Sequence, residues 1–553
     1  MKKIPLVPVC VALVIFASLA IGPTATATTE GTSAGTVVIV HDQEPGGTLN
    51  NFISEGNGYT NSLVMNPILA GGTIYDNNVK LKPYLLEALP KLLQKEPLKA
   101  TMKYKASANW SDGRPVTGAD FMALYRTIMN PNWDITSREG FEDIAKIQVK
   151  GKSVTVTFKP KRAFAAWDVL LGTSPLPAHK VAGRDFNKLW ADSVDISSGP
   201  FRFQSWQKGT QLTLVKNGAF KAGPAAKLDR LVFRYIAGPS QYQALKSGEG
   251  DVIDAVSPQI QIVDFYKDSK FKVTGGASYS WEHLDFQQGA KAHPALKRKF
   301  VRQAIIQGIN RAQIREVLYV KTGLVPAAKD LPVLQSHIFK PFESAYATPY
   351  ARWKFSQRNT IALLKRNGCT GGPDTPSASN SRIFSCPGVG QLSFAFTTTS
   401  ANPLRALTFE IIQRQLKSVG IEFTPRFLSA AVLFGGGALT SGDWQAVMFT
   451  FTGGPTSAST FFGIGGCGGD QNYGAACNRK ASALLQKAQF TPDATARNKM
   501  LHQAEAILAD EVFSIPLFAR PQHLLFSNKV KGALRNPTNQ GITWNAEAWS
   551  MAS

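Results

Sequence analysis

The sequence predicts an α/β protein of two or three domains, on three observations. Its 553 residues exceed what one compact core accommodates. Short apolar or alternating runs recur along it, bounded by Gly, Pro, Asn and Asp. In the second half such runs alternate with helical periodicity. Leu392 to Thr397 reads as a strand, Leu404 to Val419 as an amphipathic helix closed by Gly420, and Ile421 to Leu428 as a strand again. That unit implies a right-handed crossover.

Taken in order, Met1 to Ala27 has the form of a secretory signal. Lys2 and Lys3 supply the positive start, and Ala25–Thr26–Ala27 fits small-x-small cleavage. The apolar core, Val9 to Ile21, is shorter than the roughly 20 residues of a membrane span. An uncleaved anchor is the alternative reading. Residues 28–36 are a linker of small residues, and Val37 to Val40 is a buried strand. Leu63 to Tyr75 reads as helix then turn, and Ala100 to Lys105 as a strand.

The stretch Trp110 to Phe121 has its own local logic. Asp112-Gly113 is a turn pair, and Pro115 keeps Arg114 extended. Thr117 is placed as a helix N-cap, with Asp120 completing a variant capping box. Phe121, Leu124, Tyr125, Ile128 and Met129 then share one helical face.

Ser153 to Phe158, Gln211 to Val215 and Leu228 to Tyr235 alternate as strands, and Tyr242 to Leu245 opens a short helix. From Ala292 helices dominate. Leu296, Phe300, Val301, Ala304, Ile305 and Ile309 form one long face, Ala312 to Tyr319 a second helix, and Thr360 to Arg366 a third. Trp444 to Phe451 is an apolar strand, Arg497 to Leu508 a helix and Phe513 to Phe518 a closing strand.

Lys and Arg number 61 against 38 Asp and Glu, a net charge of +23. The basic residues are dispersed, and no RNA-binding aromatic motif accompanies them. The excess therefore points to a solvated basic surface and not to nucleic acid. Removing the signal removes Cys10, which lies in its apolar core without a lipobox. Cys369, Cys386, Cys467 and Cys477 remain, an even number in a secreted chain. Three disulfide pairings exist, of which the local one, Cys369–Cys386 with Cys467–Cys477, is the simplest. A four-thiolate zinc site is the competing reading, but no CxxC pair supports it.

With these joints placed, five ordered stretches carry a family resemblance. Leu81 to Leu89 resembles Leu-x-Pro-x-Leu-Ala-Glu, and Trp110 to Phe121 resembles Trp-Ser-Asp-Gly-x-Pro-Val-Thr-Ala-x-Asp, with Gly118 for Ala. Ser198 to Trp206 resembles Gly-Thr-Gly-Pro-Tyr-x-Phe-x-x-Trp. Val301 to Leu318 and Leu407 to Phe423 resemble two later helix segments. Together they are similar to solute-binding protein family 5 of ABC importers, the group of oligopeptide-, dipeptide- and nickel-binding proteins.

The resemblance implies a two-lobed, periplasmic-binding-protein-like clamp with an extra subdomain in the first lobe. The first lobe would comprise 37–75, 190–278 and 516–553, its subdomain 76–189, and the second lobe 279–515. A peptide or peptide-like solute would be enclosed in the cleft by hinge closure and passed to permease subunits at the membrane. The protein would act as a monomer at the cell surface or in the periplasm, without a cofactor and without catalysis.

In the family's peptide binders an acid in a Trp-x-x-Asp-Tyr-x-x-Pro setting pairs with the peptide's α-amine. Aligned on Pro455, that position here is Phe451. Simple amine anchoring is thereby put in question, with Asp443 and Asp470 as substitutes. The candidate ligand-binding residues are Trp281, His283, Asp443, Phe451, Thr452, Asp470 and Tyr473. A second reading keeps the scaffold for an oligosaccharide or metal chelate, with His283 and His523 held for the latter. A secreted hydrolase is the reading from another class. Its only motif is Gly31–Thr32–Ser33–Ala34–Gly35, which lies in the linker with no strand before it or helix after it. Gly463 to Gly468 matches G-x-G-x-x-G without the strand–turn–helix frame that binds phosphate.

Overall fold

In the computed structural model the residues described are 35–236, 238–255, 259–325, 328–400, 402–429, 431–435 and 437–552. The signal at 1–27, the linker up to Ala34 and the Ser33 motif lie outside them. No helix among the described residues is long and apolar enough to cross a membrane.

Ten strands form one sheet. In chain order they are β1 (Thr36–His41), β2 (Phe201–Gln207), β3 (Gln211–Lys216), β4 (Arg230–Tyr235), β5 (Val252–Ala255), β6 (Phe271–Phe286), β7 (Ser393–Thr399), β8 (Glu422–Leu428), β9 (Ala446–Phe451) and β10 (Ser514–Ser527). Their spatial order is β8-β7-β9-β6-β10-β5-β1-β4-β3-β2. β1 is parallel to both neighbours, β4 and β5. At the other end β7 is parallel to β8 and β9, as the predicted crossover requires. The long antiparallel pair β6 and β10 joins the two ends, interrupted between Ala277 and Trp281.

Strand alternation divides the burial. Val37 and Ile39 enter a core shared with Trp110, Phe121 and Phe233, whereas Val38 and Val40 enter a second core with Ile305, Leu416 and Phe423. Successive side chains of one strand thus serve the two faces of the sheet. A separate four-stranded sheet, in the order Lys91–Lys95, Leu98–Lys103, Ser153–Phe158, Ile144–Lys150, packs in the first core.

The joint at Trp110 forms as its local chemistry dictates. Gly113 has φ +87°, and the Trp110 amide donates to the Arg114 carbonyl at 2.7 Å. Helix Gly118–Met129 starts at Thr117, whose hydroxyl accepts from Ala119 N while Asp120 accepts from Thr117 N. Gly420, with φ +81°, ends the helix Pro403–Lys417.

Two elements differ from their sequence reading, and a third, β6, carries no strand signal in the sequence. The long face from Leu296 is split, because Arg298 is extended and the ten-residue helix starts only at Lys299. The closing strand runs to Ser527 rather than Phe518, because it stays paired with β6. β6 itself has no clean alternation, since Gly275, Gly276, Ser278 and Ser280 interrupt it.

Cysteine pairing is local. Cys369 is bonded to Cys386 and Cys467 to Cys477, which leaves no thiolates for the zinc reading. Each bridge staples a loop rich in small residues. By the loop-entropy model, closing a loop of about 15 residues stabilises by about 3 kcal/mol.

Candidate functional site

The three strands β9, β6 and β10 lie side by side at the middle of the sheet, and their two faces differ. On one face Trp281, His283, Phe449 and Phe451 follow the period of two. The His283 ring stacks on Phe451 at 4.7 Å with 8° between the planes, and meets Phe449 edge-on at 4.5 Å. Tyr473 lies parallel to Phe451 at 6.3 Å. Leu433, Leu439 and Trp444, from the segment between β8 and β9, pack with Phe449. Lys340, buried, lies 3.9 Å over the Trp281 ring and donates to the His337 carbonyl at 2.7 Å. Burial lowers its pKa to about 8, opposed by Glu343 and Glu505. Burial also holds His337 well below the ordinary imidazole value, and His283 reinforces this.

The other face is polar. Glu282 is buried, accepts from Arg405 Nε at 2.8 Å and accepts from the Thr450 hydroxyl at 2.5 Å. Arg405 also donates to Thr399 and Thr450, and Arg520 donates to Thr450 at 3.3 Å. Burial alone would raise the Glu282 pKa, but Arg405 first, then Arg520, hold it below the ordinary carboxylate range. A buried carboxylate is tolerated here because it is paired and hydrogen-bonded.

Three cavities open around this polar face and its flanks. The largest, about 850 Å³, lies between Tyr279, Arg535 and Pro537 on one side and Phe342, Glu343 and Pro455 on another. Phe342 is 43% exposed and meets Tyr279 edge-on at 5.0 Å. The Tyr279 hydroxyl donates to Glu343 at 3.2 Å, and burial raises the Glu343 pKa. The second cavity, about 450 Å³, is lined by Asn66, Tyr75, Tyr84, Gln540 and Trp544 together with the loop Thr452 to Ser457. The third, about 170 Å³, adjoins both. It shares Thr452 with the second and Pro537 with the first. Its walls include Tyr59 and Gln522, both bound to the buried carboxylate of Asp254.

The residues singled out from the sequence separate in space. Trp281, His283, Phe451 and Tyr473 come together as the aromatic stack. Thr452 is exposed and borders both the second and third cavities. Asp443 is 72% exposed and paired with Arg426 at 3.1 Å. Asp470 is exposed, beside Tyr473 and Glu139. His523 is buried, with Nε2 2.9 Å from the Leu324 carbonyl and its pKa lowered by burial to about 4. Among the described residues no group of three or more His, Cys, Asp or Glu is placed to hold a metal ion.

Sequence reasoning missed Glu282, Arg405, Arg520, Phe342 and Glu343. Glu282 carries only the strand alternation it shares with Trp281 and His283 as a local signal, and Arg405, in the helix Pro403–Lys417, carries none. Both guanidiniums lie more than 100 residues from Glu282 along the chain.

The family model that matches, bacterial extracellular solute-binding proteins, family 5 middle, spans residues 80–473. A relative from Brucella ovis, named for ABC-transporter peptide binding, is 27% identical over 353 residues, 60% of this chain and 64% of its own length. The chain thus matches under two thirds of that relative. Among solved structures, the periplasmic EDTA-binding protein EppA superposes with TM-score 0.83 at 21% identity, covering 95% of this chain and 98% of its own. The oligopeptide-binding protein AppA of Bacillus subtilis, in complex with a nonapeptide, superposes with TM-score 0.76 at 19% identity, covering 94% and 99%. At that identity the likeness is one of fold.

Proposed function

We propose, from the premise that the chain belongs to the bacterial extracellular solute-binding proteins of family 5, that it captures a peptide or peptide-like solute and delivers it to ABC permease subunits. The observation that carries the reading is the row of three neighbouring cavities, sharing wall residues, beside β6, β9 and β10. One wall draws on residues 51–84 and 535–547, the opposing wall on 329–345 and 452–459. In this reading 37–75, 190–278 and 516–553 form one lobe, with 76–189 as its subdomain, and 279–515 form the other. The long strands β6 and β10 are the crossings. A solute touching both walls stabilises only the arrangement in which both are close, so binding drives closure. The protein acts outside the cytoplasmic membrane, as a monomer, by binding and not by catalysis.

Mass spectrometry of solutes that co-purify, followed by calorimetry of the stripped protein against peptide pools, tests this. Peptides in the cleft are the expected result. Absence of any small-molecule binding overturns the reading.

One observation favours a second solute class. The position of the amine-pairing acid is occupied by Phe451, whose ring is committed to the stack with His283 and Tyr473. A chelate or other solute without an α-amine needs no acid there. EDTA is the solute named for EppA. A co-purifying peptide with its amine on Asp443 or Asp470 would exclude this alternative.

A further inference from the structure

The four-stranded sheet has two unlike faces. Ala100, Met102, Val154, Val156 and Phe158 enter the first core. The alternate residues of the same strands face outward. Register sets them in rows. Lys99, Thr157 and Lys146 are paired across three strands, and Lys103, Ser153 and Lys150 form a second such row. Between these rows lie Thr101, Thr155 and Gln148, and Lys91 extends that middle row onto the outer strand. None of these positions is Asp or Glu. Neighbouring strands stand about 4.8 Å apart and each residue advances about 3.3 Å, so Lys99, Lys103, Lys146 and Lys150 mark the corners of a rectangle of roughly 10 by 13 Å.

Lys103 meets Glu87 at 2.9 Å. Among the described residues the ammonium groups of Lys91, Lys99, Lys146 and Lys150 have no partner. Glu96, in the turn beside this sheet, accepts from the Lys161 amide at 3.0 Å. Five ammonium groups against the Glu87 carboxylate leave four positive charges on one face. The hydroxyls between them are spent within the sheet. Thr155 donates to Thr101 at 3.2 Å, and Thr101 donates to the Val154 carbonyl at 3.0 Å. What the face presents is therefore charge, spread in two dimensions. Such an array is complementary to an anionic plane, whereas a single charged thread would follow only one row. Leu89 and Leu93, on either side of Lys91 at the sheet edge, are 43% and 51% exposed. Exposed aliphatic side chains beside lysines suit a lipid interface, which a purely ionic polymer does not offer.

We propose that this sheet face docks the protein on an anionic phospholipid bilayer, with Lys91, Lys99, Lys146 and Lys150 over the phosphates and Leu93 at the headgroup boundary. The inference is independent of what the cavities hold. Each lysine held near such a surface strengthens binding about fivefold.

The test is co-sedimentation of the purified, exported protein with vesicles of equal phosphatidylglycerol and phosphatidylcholine. Vesicles of phosphatidylcholine alone register binding that is not electrostatic. In 0.15 M salt the native protein is expected to prefer the anionic vesicles by at least about 100-fold. The preference should vanish in 1 M salt, where the Debye length falls from about 8 Å to about 3 Å. Lys91→Gln, Lys99→Gln, Lys146→Gln and Lys150→Gln together should lower it at least about 100-fold, and the four corresponding Lys→Arg substitutions should keep it. Both variants should melt as the native protein does, because the substituted ammonium groups have no partners. Arg414→Gln, Lys417→Gln, Lys480→Gln and Lys487→Gln together remove the same charge from two other helices and should leave the preference intact. Leu93→Ala should weaken vesicle binding about threefold.

No preference of the native protein for anionic vesicles overturns the proposal. Equal losses in the two glutamine quadruple variants overturn it in favour of net charge alone. Binding of soluble long-chain polyphosphate without binding of vesicles, or unchanged vesicle binding in Leu93→Ala, overturns the choice of a bilayer.

Discussion

Two faces of the same strands carry opposite chemistries. Residues 281, 283, 449 and 451 pack as rings, while 282 and 450 hold a buried carboxylate, a hydroxyl and two guanidiniums. The strands are identical on both sides; what covers them is not. The ring face is sealed by the segment carrying Leu433, Leu439 and Trp444. The polar face leads into a cavity at its end. A strand of period two can therefore place a core and a binding surface one residue apart, and the covering element decides which is which.

Breaking the polar face should produce the largest effect. Arg405→Ala leaves Glu282 buried beside fewer partners and should cost about 3–5 kcal/mol, the range for removing one partner of a buried ion pair. Chemical denaturation measures it; a loss under 1 kcal/mol would mean that water reaches Glu282. Breaking the ring face comes next. Phe449→Ala should cost about 3 kcal/mol, the lower end for a buried phenyl, because the overlying segment can close on the space. Solute affinity should change little, and a large loss of affinity without a loss of stability would put solute on the ring face instead.

The two faces should also respond to different pH. Burial keeps His337 neutral in the folded protein, so the unfolded chain takes up a proton first. Stability falls as pH drops below about 6.5. Glu282 is held below its ordinary value, so its contribution is complete above about 4.5 and is lost as pH falls through its lower folded value. Melting curves from pH 8 to 3 should show both windows. His337→Gln should make the upper one shallower, with buried His523 supplying part of the remaining slope, and an unchanged curve between pH 6.5 and 5 would remove the assignment. The smallest effect is expected at Asp443, on the exposed surface. Asp443→Ala removes a solvent-facing pair with Arg426, worth about 0–1 kcal/mol. A clear loss of solute affinity in that variant would move the binding surface away from the polar face.

Legibility from sequence followed the range of the interactions. Thr117 with Asp120, Asp112 with Gly113, and Gly420 after its helix could be read because each involves partners within a few residues. The apolar strands Thr36–His41 and Ala446–Phe451 were legible because burial on both sides leaves a continuous apolar run. β6 was not, because a strand that carries polar side chains into a cavity and glycines beside His523 and Arg535 has no uniform period. Among the candidate residues, aromatic character drew the reading to Trp281, His283, Phe451 and Tyr473. Aromatic rings have the same appearance in sequence whether a core or a solute covers them.

By itself the sequence determined the α/β class, the capped joint at Thr117, the crossover unit around Leu404 to Val419 and the family. These rest on local spacing and on ordered motifs. Only the tertiary structure decided that Glu282 meets Arg405 across 123 positions, that Glu343 meets Tyr279, and that three cavities come to share Thr452 and Pro537 in their walls. The physical reason is that charge compensation and cavity shape depend on which distant segments are brought together. No periodicity within one segment encodes that pairing.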